Sequence, residues 1–143
     1  MTTYLSYRRE TLHTIHRYWQ AKNKLMKIDF KNNVLIWFDE DVKLHEHKPF
    51  STEFKEIEIL KNGNILVIED YTGYSYLNKS NLYCLNRKLE VQWFLDYPYK
   101  EFRKNNGYTI FTVNGEILFA NTFNCVRVKF DNEGNILDKI FTK

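Results

Sequence analysis

The sequence predicts an all-β fold built from tandem, four-stranded antiparallel units. Three observations predict it. The turn dipeptides Asn62-Gly63 and Asn114-Gly115 each lie between short apolar runs, and Asn-Gly is the strongest short-range signal for a β-hairpin. Aromatic residues make up 17% of the chain, and large rings favour strands. The order of strands and turns in residues 49–97 returns in residues 98–143, which indicates a repeat.

Length and composition indicate one ordered domain. The chain has 143 residues and a net charge of +3, which is long enough for a real core and too weakly basic to indicate a dedicated nucleic-acid binder. Cys84 and Cys125 both fall in strand-like runs. Because no signal peptide or long apolar segment is evident, we expect reduced thiols and a cytoplasmic protein.

The amino-terminal residues 1–23 are ambiguous. Leu12, Ile15 and Trp19 are spaced for one face of a short helix. The same segment is rich in Thr, Tyr, His and Trp, and the repeat requires strands here. Strand is slightly favoured over helix.

Residues 24–38 predict a hairpin. Apolar and charged residues alternate up to Phe30, a second apolar run begins at Val34, and Asn32-Asn33 between them tolerates a left-handed backbone. Residues 39–52 are polar and predict a connection. Pro49 lies in it, and Pro98 occupies the matching place one unit later, so both prolines should lie between sheets.

The two full repeats predict four strands each. In the first, strands are expected near residues 57–59, 65–68, 81–85 and 91–95; in the second, near 110–111, 117–119, 126–130 and 136–141. The first hairpins align at an offset of 52 residues, and each is expected to carry a type I′ turn with positive φ at both Asn and Gly. A long loop, Tyr71 to Ser80, exists only in the first repeat. We therefore divide one domain into a degenerate first unit (1–48), a second (49–97) and a third (98–143).

The repeated segments resemble the blades of a β-propeller. NLYCLNRKLEVQWFL is similar to the outer hairpin of pyrroloquinoline-quinone-type blades, in which a strand ending near Asp or Asn is followed by a turn and a strand carrying Trp. FDNEGNILDKIF and IDFKNNVLIWF have the same outline. The glycine-rich signature that usually opens such blades is missing, so the resemblance implies architecture and no cofactor site.

The number of units predicts an open half-propeller of about 2.5–3 blades, because closed propellers need about four to eight. A β-sandwich or barrel is the alternative. An open array exposes strand edges that proteins normally cover, which favours either a protein partner or a homodimer that closes a six-bladed ring.

No motif predicts catalysis, a cofactor or a metal. The pairs His13/His16 and His45/His47 have no third ligand at a familiar spacing. A nuclease would have to use His13, His16 and Lys22, all in the ambiguous segment. Cys84 is interpreted as a small buried hydrophobe. We therefore expect a protein that is not an enzyme.

Aromatic, basic and acidic residues supply the candidate binding positions. Such mixtures suit protein interfaces, although aromatic rings with interleaved Lys and Arg also suit single-stranded nucleic acid, and rings that merely cap the sheet ends are the plainest alternative. The candidates are Tyr71, Tyr74 and Tyr76 in the long loop, Tyr97, Tyr99, Lys100 and Arg103 in the second connection, and Asp39, Glu40 and Asp41.

The expected function is non-enzymatic protein binding. In its sharpest form the protein is a bacterial immunity protein that neutralises a cognate antibacterial toxin, because small immunity proteins are similar in size and use varied β-rich folds. The net charge of +3 speaks against this interpretation, because inhibitors of nuclease toxins are usually acidic. Three alternatives remain: the toxin is not a nuclease, the protein is not an immunity protein, or the acidic residues are clustered, as Asp39-Glu40-Asp41 with Glu46 or as Glu53, Glu56 and Glu58. A self-assembling structural module and a nucleic-acid binder are the alternatives. No membrane association is expected.

Overall fold

The computed structural model describes residues 5–7, 14–21, 24–40, 42–99 and 106–142, with side chains from residue 28 onward. These residues form thirteen β-strands and no helix: β1 (Leu5–Tyr7), β2 (Thr14–Ala21), β3 (Lys24–Lys31), β4 (Val34–Asp39), β5 (Val42–His47), β6 (Phe54–Ile59), β7 (Ile65–Glu69), β8 (Leu82–Leu85), β9 (Val91–Phe94), β10 (Tyr108–Asn114), β11 (Ile117–Thr122), β12 (Val126–Phe130) and β13 (Ile136–Phe141).

The strands form three open antiparallel sheets. The first sheet has the order β2-β3-β4-β5, the second β1-β6-β7-β8-β9 and the third β10-β11-β12-β13. Apart from β1, each strand pairs with its neighbours in the sequence, so every sheet is an up-and-down meander, as in propeller blades. The predicted all-β fold with four-stranded antiparallel units is confirmed.

In the amino-terminal region the slightly favoured strand prediction is confirmed for the described residues, and one strand was not expected. Leu5–Tyr7 and Thr14–Ala21 are strands, so the helical alternative is wrong for these residues, while residues 8–13 lie outside the described part. β1 pairs with β6 in the register Leu5 to Ile59 and thus adds a fifth strand to the second sheet. Three residues are too few to show a periodicity, and the partner strand lies far away in the sequence.

The polar connection predicted for residues 39–52 contains a strand. Glu40 adopts a φ of 51°, which allows a tight turn after β4, and β5 then pairs with β4 at the edge of the first sheet. An edge strand tolerates charged side chains that a central strand does not. Lys43 and Glu46 on β5 form an exposed ion pair at 2.9 Å.

The hairpin turns also differ from expectation. Asn32 and Asn33 both have positive φ (53° and 62°), the pattern of a type I′ turn. At Asn62-Gly63 only Gly63 has positive φ. There the N–H of Gly63 donates to the Leu60 carbonyl at 2.9 Å, which gives a three-residue loop with the left-handed residue in last place. At Asn114-Gly115 only Gly115 has positive φ, so neither Asn-Gly pair forms the predicted type I′ turn.

The different loops shift the second repeat by one residue relative to the third. Ile65 faces the first sheet and Leu66 the third, whereas Leu118, which the offset of 52 aligns with Leu66, faces back to the second sheet. A one-residue slip moves every side chain of a strand to the opposite face. The structural match of Ile65 is therefore Leu118.

Two apolar layers hold the sheets together. The first layer, between the first and second sheets, contains Ile28, Phe30, Leu35, Trp37, Phe54, Ile57, Ile59, Ile65, Val67, Tyr83, Leu85 and Leu89. The second layer, between the second and third sheets, contains Leu60, Leu66, Ile68, Leu82, Cys84, Leu95, Tyr108, Phe111, Leu118, Ala120, Val126, Val128 and Phe130. The second sheet is therefore covered on both faces, which explains its nearly continuous apolar runs.

Candidate partner-binding surfaces

A buried carboxylate anchors the connection between the first and second sheets. Glu69, at the end of β7, is fully buried. Its oxygens accept backbone N–H bonds from Phe50 at 2.8 Å and from Ser51 and Thr52 at 3.0 Å each. A buried charge is tolerated only when it is well hydrogen-bonded, so the chain after Pro49 is held around this side chain.

Tyr83 and His47 extend this hydrogen-bonded group. The Tyr83 hydroxyl donates to Glu69 Oε2 at 2.5 Å and lies 2.8 Å from Nε2 of His47. Burial, and then the charge and hydrogen bond of Glu69, raise the pKa of Tyr83 far above its ordinary value. Burial also lowers the pKa of His47, against the opposing charge of Glu69. A neutral His47 therefore donates to the tyrosine oxygen, and Tyr83 donates to Glu69.

This His–Tyr–Glu chain resembles a proton relay, but it stabilises the fold. The three side chains are 8%, 0% and 0% exposed, and their hydrogen bonds to one another and to the backbone after Pro49 hold this part of the fold together. The rings of His47 and Tyr83 pack into the first apolar layer, and the His47 ring centre lies 4.8 Å from that of Phe50. The chemistry of the group is to fix the loop that follows Pro49.

Asn81 couples the second sheet to the third. It is fully buried and its Nδ2 donates to the carbonyls of Glu69 and Tyr108, while its Oδ1 accepts the Tyr108 N–H. Gly107 allows this approach, because a Cβ there would lie 2.7 Å from Asn81 Oδ1. Sequence reasoning missed both Glu69 and Asn81, since a polar residue beside an apolar run carries no sign of its partner.

The long loop places its tyrosines in different surroundings. Tyr74 is 9% exposed, and burial raises its pKa far above the ordinary value. Tyr76 stacks on Phe50 at 4.2 Å. Tyr71 packs against Phe123 of the third sheet at 5.3 Å. Tyr74 is thus removed from solvent, while Tyr71 and Tyr76 join the loop to neighbouring elements.

A cleft lies where the second and third sheets meet, beside Tyr71. Its volume is about 620 Å³, and its lining combines charged, polar and apolar groups, including Lys55, Asp70 and Ile110, which lies on the edge strand β10 of the third sheet. Lys55 already lies 2.7 Å from a Glu53 carboxylate oxygen and 3.7 Å from Asp70. The cleft is large enough for a small ligand, but Lys55, the one cation among its described lining residues, is engaged with carboxylates.

The second group of candidates follows β9. Tyr97 stacks on Tyr108 at 5.7 Å, and burial raises its pKa. Tyr99 is exposed, with Lys139 Nζ 4.6 Å from its ring centroid. Lys100 and Arg103 lie outside the described residues. Tyr97 and Tyr99 therefore lie against the third sheet. Tyr76 lies elsewhere, beside the first apolar layer.

The acidic candidates lie at the β4–β5 turn of the first sheet, whereas the histidines lie further along β5, with His47 opposite Leu35. Asp39 is half-buried and Glu40 is exposed in the β4–β5 turn, while Asp41 lies outside the described residues. His45 stacks on Trp37 at 5.3 Å, whereas His47 turns inward to Tyr83. Among the described residues no group of three or more His, Cys, Asp or Glu side chains is arranged to hold a metal.

Two cysteines have different surroundings. Cys84 is buried on β8, as expected for a small hydrophobe, and burial raises the pKa of its thiol to about 12. Cys125 is exposed in the β11–β12 turn with a φ of 69°, so the expectation that it lies within a strand is wrong.

The outer face of the third sheet, turned away from the second sheet, is the largest candidate that sequence reasoning missed. Cross-strand pairing gives one row of Ile110, Asn121, Arg127 and Ile140, and a second row of Thr112, Phe119, Lys129 and Asp138; Ile117 follows beside Asn114. Ile110, Ile117 and Ile140 are 37%, 42% and 56% exposed. The Arg127 guanidinium lies 4.2 Å from the centre of the Phe119 ring. Only the correct strand register reveals that these residues share a face.

Comparison with known proteins adds similarity to parts of larger structures. No protein family matches the chain, and no curated protein matches it. A candidate exported protein from Bacteroides fragilis is similar, with 20% identity and a TM-score of 0.47 over 87% of this chain and 36% of the other. BamB from Moraxella catarrhalis is similar, with 10% identity and a TM-score of 0.37 over 88% of this chain and 48% of the other. The chain spans between about a third and a half of these two structures.

The described residues include no helix long and apolar enough to cross a membrane.

Proposed function

We propose that the protein is a non-enzymatic protein-binding module, and in its sharpest form a bacterial, cytoplasmic immunity protein that binds and neutralises a cognate antibacterial toxin. The observation that supports it is the outer face of the third sheet, which carries three partly exposed isoleucines and an arginine whose guanidinium lies over a phenylalanine ring. Aromatic and Arg side chains within an apolar surface are favoured anchors of protein interfaces.

The sheet stack supports the same proposal. Each internal face of the second sheet is covered by a neighbouring sheet, whereas the third sheet has a described partner on one face only. Exposed apolar side chains beside an aromatic ring and an arginine are a common composition of protein interaction sites. The blades resemble those of pyrroloquinoline-quinone-type propellers, and we propose that the outer face of the third sheet binds another protein.

Neutralisation is tested by co-expression with the products of adjoining genes. Each neighbouring product is expressed alone and with this chain, and growth is measured together with complex formation by size-exclusion chromatography with light scattering. We expect one product to be toxic alone, harmless with the wild-type chain and toxic again with Ile140→Lys. Leu44→Lys, which changes an exposed residue of the first sheet (45% exposed), is the matched control and should protect normally.

Two outcomes would contradict the proposal. If no adjoining product is toxic or forms a complex, the immunity function fails. If the isolated chain is a stable dimer that Ile140→Lys converts to a monomer, the open stack of three sheets closes on a second copy, and the self-assembling structural module is the better function.

A further inference from the structure

The outer face of the third sheet differs from an internal blade face at corresponding positions. On the second sheet, the residues that face the third sheet form the cross-strand pairs Leu66–Cys84 and Ile68–Leu82. The matching pairs on the outer face are Phe119–Lys129 and Asn121–Arg127. The four residues of the second sheet are at most 1% exposed, so an internal face is dry and apolar. On the outer face, three of the four corresponding residues are polar or charged.

This replacement argues against another blade of the same kind as the occupant. Covering Arg127 with an apolar sheet would bury a charge that has no acidic residue in its cross-strand row, which is costly, whereas Lys129 at least lies opposite Asp138. The first sheet of a second copy offers little compensation. On the outer side of that sheet, Asp29 is already buried, with only 8% of its surface exposed. Glu46 is paired with Lys43 at 2.9 Å. An occupant that supplies its own carboxylate fits better.

Arg127 is the residue that would bind this carboxylate. Its cross-strand row holds Ile110, Asn121 and Ile140 and no acidic residue. Its Nε is buried and makes no hydrogen bond to any described residue. The Arg127 guanidinium carbon lies 4.2 Å from the centre of the Phe119 ring, and the ring shields the guanidinium from water on one side. A planar guanidinium held in this way is suited to bidentate binding of a carboxylate.

We infer that the outer face of the third sheet binds an acidic protein segment, placing an Asp or Glu carboxylate on Arg127 and apolar side chains on Ile110, Ile117 and Ile140. The inference rests on the proposed function and names the chemistry of the partner. The apolar residues around the arginine favour a polypeptide over a nucleic acid, whose phosphates require a broader basic surface. The arginine supplies specificity, and the isoleucines supply buried apolar area.

The test uses a phage-displayed library of random linear peptides, selected on the full wild-type chain. We expect the enriched peptides to share an Asp or Glu beside apolar residues. Synthetic versions should bind the wild type and lose about 30-fold in affinity with Arg127→Gln, since removing one partner of a buried hydrogen-bonded charge pair has at least this effect. Ile140→Lys should weaken binding as well, and Lys43→Gln on the first sheet should leave it unchanged.

Circular dichroism melts of each variant check the fold. If Arg127→Gln has a lower melting temperature than the wild type, the test depends on Ile140→Lys alone. The Ile140 side chain is 56% exposed and contributes little to the core, so this variant should fold.

Other outcomes would overturn the inference. Peptides without acidic residues, equal binding by Arg127→Gln, or no enrichment over the Ile140→Lys chain would each exclude an acidic segment on this face. Binding of a single-stranded RNA oligonucleotide that depends on Arg127, or a wild-type dimer broken by Arg127→Gln, would assign the face to another occupant. Peptide binding at Arg127 without any toxic gene neighbour would leave this inference intact and remove only the immunity function. If a neighbouring toxin is neutralised equally well by the wild type, Arg127→Gln and Ile140→Lys, the immunity function stands and this inference fails.

Discussion

The side-chain amide of Asn81 pairs with the backbone of Tyr108 as a neighbouring strand would. Its Oδ1 accepts the Tyr108 N–H at 2.9 Å, and its Nδ2 donates to the Tyr108 carbonyl at 2.8 Å. The same Nδ2 donates to the Glu69 carbonyl at 2.7 Å. Because Glu69 ends β7 and Tyr108 begins β10, one buried amide connects the second sheet to the third.

Asn81→Ala should lower the free energy of unfolding by about 2–4 kcal/mol. The substitution leaves backbone groups of Glu69 and Tyr108 without their buried partner, and each unsatisfied group costs about 1–3 kcal/mol, with incomplete additivity. Urea denaturation followed by tryptophan fluorescence measures the change. The matched control is Asn33→Gly, which removes a single bond from Asn33 Oδ1 to the Phe54 N–H (3.0 Å) and keeps the positive φ accessible. Equal losses for both variants would show that Asn81 is not a special connection.

Gly107→Ala should be destabilising for a steric reason. A Cβ at this position would lie 2.7 Å from Asn81 Oδ1 and 2.8 Å from Tyr71 Cβ, and overpacking of this kind costs about 1–3 kcal/mol. Thermal unfolding measures the effect. Gly115→Ala is the contrast, because its new Cβ meets nothing within 4 Å and the cost of about 1–2 kcal/mol comes only from a φ of 65°. If the steric account is right, Asn81→Ala should reduce the cost at Gly107 and not at Gly115.

The strand pattern was largely predictable, because apolar alternation and turn residues are local signals. The hairpin at Asn32-Asn33 and the eight strands of the second and third sheets' repeats were expected where the structure has them. The turn types were not. Asn62-Gly63 and Asn114-Gly115 look alike in sequence, but the first belongs to a loop one residue longer. That single residue decides which side chains of β11 face outward.

The candidate surface was less predictable than the fold. Tyr74 is 9% exposed and Tyr76 stacks on Phe50, and their contact with a partner stays a prediction. Arg127 carries no signal in the sequence, because alternation on β12 only says that it points away from Val126 and Val128. Its stacking on Phe119 depends on the β11–β12 register, which a non-local pairing sets.

The stability of the protein should fall as the pH is lowered from about 7 to 5, through His47. Burial lowers the pKa of His47 in the folded protein, so between the folded pKa and the unfolded value of about 6.5 the unfolded chain binds more protons. Stability from the neutral histidine is therefore fully present above about pH 6.5 and is lost as the pH falls, by at most about 1.4 kcal/mol per pH unit. Urea midpoints at a series of pH values measure this slope.

His47→Gln should flatten the slope in this pH range, and the exposed His45→Gln should leave it unchanged. Tyr83→Phe offers a further check. It removes the hydroxyl between His47 and Glu69 and should destabilise the protein at every pH by about 1–3 kcal/mol. A wild-type slope that persists in His47→Gln would assign the pH dependence to other groups.

At Leu89, replacement by glycine should be less damaging than replacement by alanine, the reverse of the usual order. Leu89 is 7% exposed in the first apolar layer, and its φ is 64°. Its N–H donates to the Asn86 carbonyl at 2.9 Å in the same kind of loop that carries Gly63 and Gly134. Both variants lose the packing of the leucine side chain, about 2–5 kcal/mol. Only glycine also relieves the left-handed backbone, by about 1–2 kcal/mol. Leu89→Gly should therefore show the higher urea midpoint of the two, and a higher midpoint for Leu89→Ala would mean that the backbone of this loop is not strained.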